Sequence, residues 1–325
     1  MTFLDSISSD SSSGIFLTLA AGAALKYAIG YWVQYNRRHQ LRRVGTVSAL
    51  YVYPVKSFRG LNVMEAECTR LGLKYKGLTD RHWTVADEAG MYLTQRQVPS
   101  MALIEPSIHG DIMHLNAPGM STLKVPMNPE VTPTMVKKVT VKTDTVDSLD
   151  CGAEAAQWLC KYFNRAGLRL HFSAPSLEKR DSYYGKKLWE HPALPGDLTA
   201  FSDYCSYMVL SNASLRALND RLASPVPILN FRANIIVDDC GPFAEDDWKE
   251  IHIGQARLRT LDACTRCILT TVDQIKGVKD KDEEPLKTLR TFRRKEPYGV
   301  KPAFGVNATF ITPGVVRVGD PIYAF

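Results

Sequence analysis

The run Asp262-Ala263-Cys264-Thr265-Arg266-Cys267-Ile268-Leu269-Thr270-Thr271 is the sharpest local chemical feature of the chain. It sets two thiols three residues apart with a guanidinium between them. Four chemistries use such a pair. Structural zinc needs a second ligand pair, and no other cysteines or histidines stand at finger spacing. A thioredoxin-like redox pair needs a βαβ setting, whereas this run reads as lying between strands at 258–261 and 268–272. Buried thiols can also serve simply as small apolar groups. Lastly, one thiolate can bind a soft or high-valent metal, with Arg266 beside it to meet an anion. The residues alone leave these alternatives open.

Three more clusters put cations at strand ends: Tyr53-Pro54-Val55-Lys56-Ser57, Thr79-Asp80-Arg81-His82-Trp83 and Asn230-Phe231-Arg232-Ala233-Asn234. Singly, each reads as a loop salt bridge or surface charge. Brought together, they would suit a phosphate and a polar heterocycle. The seven histidines show no metal-binding pattern. No glycine-rich nucleotide loop and no Gly-x-Ser-x-Gly elbow is present.

The elements that must position these groups are mostly short strands. β-branched and aromatic runs at 46–53, 102–108, 137–141, 208–210, 234–237, 257–261 and 315–318 are punctuated by Gly and Pro, as in Cys240-Gly241-Pro242 and Thr312-Pro313-Gly314. Helical spacing appears at 152–163, at 212–222 with Ser211 as cap, and at 285–295 after a leading proline. A proline-bearing stretch at 173–198 reads as a long loop between halves. Many strands with few helices predict a β-rich, mixed α+β fold built on barrels.

Composition is that of a globular chain: 325 residues, 45% hydrophobic, net charge +6. Lys26, Arg37, Arg38, Arg42 and Arg43 against Asp5 and Asp10 put half of that excess in residues 1–43. The body is only mildly basic, which argues against a nucleic-acid binder. Seven irregularly spaced cysteines suggest a reducing compartment. Residues 14–33 are apolar but for Lys26, long enough to span a bilayer. The acidic start fits neither a secretory signal nor a mitochondrial presequence. The expectation is an uncleaved transmembrane anchor, with the basic run after it keeping the body in the cytosol.

The clusters named above, Cys264 through Asp273 and the ending Val318-Gly319-Asp320-Pro321 occur in that order. Together they resemble the mitochondrial amidoxime-reducing component family of MOSC-domain proteins, related to the C-terminal domain of molybdenum cofactor sulfurase. The likeness runs from residue 44 to 325 and extends to the anchor. It implies a tail at 1–13, a transmembrane helix at 14–35, a basic linker at 36–43, a MOSC N-terminal β-barrel region at 44–176 and a MOSC β-barrel domain at 177–325.

The resemblance also implies a molybdenum cofactor (Mo-molybdopterin) with Cys267 as thiolate ligand to the metal. Thr265 and Arg266 would contact it from the same loop, and Lys56, Ser57, Arg81, Arg232 and Asn234 would hold its phosphate and pterin. Asp203, Tyr204 and Cys205 match another cofactor-contacting stretch, although relatives more often carry hydroxyl residues after the Asp. Asn307 stands where relatives place an aromatic. The implied reaction reduces N-hydroxylated compounds (amidoximes, hydroxylamines, N-oxides), with Asp203 as a candidate proton relay. Electrons would come from NADH through cytochrome b5 reductase and cytochrome b5; by their own charge Lys287, Arg290, Arg293, Arg294 and Lys295 could offer the latter a basic surface, or form a plain solvated helix face. The implied setting is the outer mitochondrial membrane, with a monomeric catalytic unit facing the cytosol. The main alternative is a non-catalytic carrier of the cofactor; a metal-free β scaffold tethered to a membrane is the third.

Overall fold

Alternating burial makes Arg42–Val52 a strand with one inward face, on which Val47, Leu50 and Val52 are at most 1% exposed. It closes a ring. Successive neighbours are Ile235–Asp238, Tyr207–Ser211, Ala303–Thr312, Ala256–Thr265, Glu250–Ile253, Pro321–Ala324 and Arg42–Val52, and the last pairs back with the first. Closure leaves no free edge. The Tyr207–Ser211 and Ile235–Asp238 strands are parallel, so the chain must cross over between them. The helix Asn212–Asn219 does this, capped by Ser211, whose hydroxyl accepts from the Ser214 amide. The barrel is packed inside by Val209, Ile235, Val237, Leu258, Ala308 and Ile322.

The computed structural model describes residues 25–27, 29–30, 40–182, 190–296 and 298–325. The expected anchor at 14–35 lies mostly outside the described residues. Among those described, no helix is long and apolar enough to cross a membrane.

A second core gathers Trp83, Val85, Met113, Leu115, Leu149, Leu159 and Leu170. It joins the sheet Val136–Val141, Asp144–Asp150, Arg169–Phe172 and Trp83–Ala86, the three-stranded sheet Glu105–His109, Ile112–Asn116 and Leu123–Pro126, and the helix Ala153–Phe163. The two halves of the chain are interlaced. Arg42–Val52, from the first half, is a barrel stave, and Glu65–Thr69 pairs with Gly314–Arg317 near the end of the chain.

Two local expectations are corrected. Most of 268–272 is not a strand: Ile268–Thr271 is a 3₁₀ turn, and only Val272 enters a strand, Val272–Asp273. The Thr270 and Thr271 hydroxyls donate to the carbonyls of Cys267 and Ile268, a local bonding that competes with a strand ladder. The basic helix is shorter than 285–295, spanning Leu286–Phe292. Arg293 beyond it is buried against Asp246, which also pairs with Lys295. Arg290 pairs with Glu283. Arg293 is therefore a structural counter-ion rather than part of an outer basic face, while Lys287 and Arg294 are exposed.

Candidate functional site

Pro54 cannot donate to a ladder, and the Arg42–Val52 strand ends just before it. The chain then turns, with the Lys56 amide donating to Trp83 O and the Phe58 amide to Val55 O. The turn sends Lys56 into a cavity of about 610 Å³. Its Nζ donates to Phe201 O at 2.7 Å and to Asp203 Oδ1 at 2.5 Å. Burial pulls the Lys56 pKa down to about 8, with Asp203 opposing that fall. For Asp203, burial would raise the pKa, but Lys56, Lys142 and Arg96 outweigh it and hold the carboxyl well below the usual carboxylate range. Asp203 is therefore ionised at neutral pH, a hydrogen-bond acceptor for Lys56 but a weak base.

Arg81 and Arg232 both pack against the Tyr53 ring, 4.9 and 4.3 Å from its centroid. Both backbones are left-handed, with φ of 51° and 54°. Arg81 pairs with the buried Asp80, and its Nη2 donates to Arg232 O at 3.0 Å. Asp80 in turn accepts from the Tyr53 amide and from Asn234 Nδ2. Asn234 Nδ2 also donates to Tyr51 O, and its Oδ1 accepts from the Met208 amide. Asn234 thus buckles three strand ends together, with both amide hydrogens committed inside the protein. Arg232 Nη1 donates to Phe58 O at 2.7 Å, while Nη2 is buried without a partner.

The Cys264–Cys267 run is aimed by a bulged strand. Pairing between Ala256–Thr265 and Ala303–Thr312 shifts register on either side of Ala263, and such a shift bends a strand and redirects its side chains. Asn307 satisfies a carbonyl there: its Nδ2 donates to Asp262 O at 3.0 Å. Cys264 is the next-to-last residue of the strand, which ends at Thr265, and Cys267 caps the Ile268–Thr271 3₁₀ turn in extended backbone. Between them, Arg266 Nη1 donates to Cys264 Sγ at 2.7 Å and Nη2 to Phe231 O at 2.5 Å. Its Nε is buried without a partner. The Cys205 thiol donates to Tyr207 O at 3.0 Å, and burial pushes its pKa up to about 12. The Tyr204 hydroxyl accepts from the Ala193 amide.

The structure brings Lys56, Ser57, Arg81, Asp203, Tyr204, Cys205, Arg232, Asn234, Thr265, Arg266 and Cys267 to this one cavity. Asn307 lines it too. Sequence reasoning missed Arg96, Lys142, Tyr298 and Lys301, which share the wall. Thr94-Gln95-Arg96-Gln97, a polar run after a strand-like stretch, and the hairpin tip Lys142-Thr143 were the available signals.

Among the described residues, seven cations line the cavity against one carboxylate. Buried guanidinium donors without partners are costly. The two here, on Arg232 and Arg266, suit an anion with several acceptor oxygens. Among the described residues, no group of three or more His, Cys, Asp or Glu side chains is placed to hold a metal ion. A metal at Cys267 would have to arrive with ligands of its own, and a cation-lined cavity fits such an anionic carrier.

Known proteins resemble this chain over most of its length. Residues 44–166 match the MOSC N-terminal beta barrel domain, and residues 197–323 match the MOSC domain. The chain is 41% identical over 293 residues to mitochondrial amidoxime-reducing component 1 of Mus musculus, covering 89% of this chain and 84% of that protein. It is 39% identical to the Homo sapiens component 1, covering 89% and 85%, and 39% identical to mitochondrial amidoxime reducing component 2 of Bos taurus, with the same shares. On this similarity, which spans both halves, the chain belongs to the mitochondrial amidoxime-reducing component family of MOSC-domain proteins.

Proposed function

We propose that the chain is a molybdenum-cofactor reductase of N-hydroxylated compounds. The observation that carries this reading is the gathering of Cys267, two incompletely bonded buried guanidinium groups and Lys56 on one cavity wall. The names of its relatives point to the substrate class.

Cys267 is the protein's ligand to the metal. Arg232 Nη2 and Arg266 Nε supply hydrogen bonds to the cofactor's anionic groups, joined by Lys56, Ser57 and Arg81. Thr265, Tyr204 and Cys205 complete the wall, and Asn234 fixes the strand ends beneath it. The bound cofactor supplies two-electron exchange with an N–OH oxygen. The overall reaction takes an N–OH group, two electrons and two protons to N–H and water. At neutral pH, Lys56 Nζ holds a proton at the wall and Asp203 Oδ1 accepts its hydrogen bond, so this pair is the candidate proton store.

Electrons come from NADH through cytochrome b5 reductase and cytochrome b5, with Lys287 and Arg294 as the exposed cations of the docking face. Residues 14–35 anchor the chain in the outer mitochondrial membrane, the body facing the cytosol as a monomeric unit. The chain divides into an N-terminal region at 44–176 and a MOSC domain at 177–325.

The test is metal analysis, with benzamidoxime turnover, of the wild-type chain and Cys267→Ser made in a host that supplies the pterin. Molybdenum and turnover in the wild type, both lost in a folded Cys267→Ser protein, are expected. A molybdenum-free wild type, or full activity in Cys267→Ser, refutes the reading. In the same assay, Lys287→Glu with Arg294→Glu should slow reduction by the cytochrome and flatten its salt dependence; unchanged kinetics would remove this face from the docking scheme.

A further inference from the structure

The cations of the cavity lie at two depths. Lys56, Arg232 and Arg266 are at most 7% exposed, and the Arg81 side chain is 16% exposed. Nearer solvent come Arg96, whose side chain is 26% exposed, and the exposed Lys142 and Lys301. The inner four are those assigned above to the cofactor. The outer three come from separate segments, and each is placed by its surroundings. Arg96 donates to Tyr92 Oη at 2.7 Å and to Thr94 Oγ1 at 3.1 Å. Lys142 occupies the tip of the hairpin between Val136–Val141 and Asp144–Asp150, at φ +58°. The Lys301 amide bonds to Tyr298 O, and the Tyr298 side chain is moored by its hydroxyl, which donates to Asp262 at 3.2 Å and accepts from the Ala263 amide.

Among the described residues the one carboxylate lining the wall is Asp203, whose charge is shared by Lys56 at 2.5 Å, Arg96 at 3.6 Å and Lys142. A neutral N-hydroxylated compound gains nothing from such a mouth, whereas an anionic one is both steered and held by it. The cations line the inside of the cavity rather than a convex outer face, which favours a small ligand over a protein partner.

We propose that Arg96, Lys142 and Lys301 form a subsite for an anionic substituent, a carboxylate or phosphate-like group, on the N-hydroxylated substrate, with its N–OH end directed inward to Cys267. This rests on the reductase reading and adds the charge class of its substrate.

The test is calorimetric binding to the cofactor-loaded protein with no electron donor present, so that nothing turns over. The probes are benzamidoxime, 4-carboxybenzamidoxime and its 4-phosphono analogue. The wild type should bind the anionic probes about tenfold more tightly than the neutral one at low salt. The better of the two anionic probes identifies the group preferred. In Lys142→Asn with Lys301→Met the preference should fall to near unity; asparagine is chosen because it tolerates the left-handed backbone at position 142. Melting temperature and molybdenum content establish that the double variant is folded and loaded. A wild-type preference below about twofold, the scale of an exposed ion pair worth little, overturns the proposal. So does a preference that survives the double substitution, or, in a separate turnover assay with the electron donors restored, a variant whose sole defect is a raised KM for cytochrome b5, which would make the ring a docking surface. Failure of the reductase reading shows separately, as absent molybdenum or absent turnover of any amidoxime.

Discussion

Arg232→Met separates what the cavity costs the fold from what it gains in binding. Arg232 is 6% exposed and sits beside Arg81 on the Tyr53 ring. Burial, then repulsion from Arg81, lowers its pKa from the ordinary guanidinium range to about 10. A base whose folded pKa is depressed makes the charged fold less stable. The cost is fully present at pH values below about 10, including neutral pH, and fades only as pH rises towards the ordinary guanidinium range. Its size is on the order of 3 kcal/mol. Methionine removes that cost, keeps the apolar stem and tolerates the backbone as well as arginine does. It also strips Phe58 O of its donor, a loss of about 1–2 kcal/mol. The net expectation is a gain of about 1–2 kcal/mol, seen as a rise of roughly 2–6 °C in melting temperature. The assay is thermal unfolding of cofactor-free protein at pH 7, with and without pyrophosphate. Wild type should melt lower than the variant without the anion and be stabilised more by it. A variant that melts below wild type yet responds equally to pyrophosphate would show that Arg232 is a structural residue, refuting the account of the cavity as a strained anion cradle.

Two further outcomes follow from the surrounding core. His171 is 3% exposed, contacts Ser148 Oγ at 3.1 Å, and is lowered by burial to about 4; the unfolded chain takes up a proton near 6.5, so its contribution is intact above that pH and declines as pH falls towards 4. His171→Gln should flatten the slope of urea stability against pH across that window by up to about 1.4 kcal/mol per pH unit, and an unchanged slope would place the acid sensitivity elsewhere. Gly305 has φ of 76°, and a Cβ there would lie 2.5 Å from Met208 Cε and 2.7 Å from Val209 O. Gly305→Ala should therefore cost about 1–3 kcal/mol in urea unfolding and lower molybdenum loading, because Met208 packs against Arg266; a variant of wild-type stability and loading would contradict both.

Much of this molecule is legible in the chain. Alternation and β-branching mark strands such as Arg42–Val52 because a strand's two faces meet different surroundings. Ser211 announces its helix through a bond to Ser214 three residues on. The chemical residues Lys56, Arg81, Arg232 and Cys267 stand out locally because cations and thiols at strand ends are chemically unusual. What sequence could not decide was which of them meet. Residues as far apart as Lys56 and Asp203, or Asp80 and Asn234, become partners only when the barrel closes. The same closure leaves Arg232 Nη2 and Arg266 Nε short of acceptors and buries Arg293 against Asp246, although its local run reads as surface charge. Propensity and patterning act over a few neighbouring residues, whereas desolvation and ion pairing depend on everything packed around a group. The inventory of reactive side chains was therefore set by composition, and their states of charge and partnership by the tertiary fold.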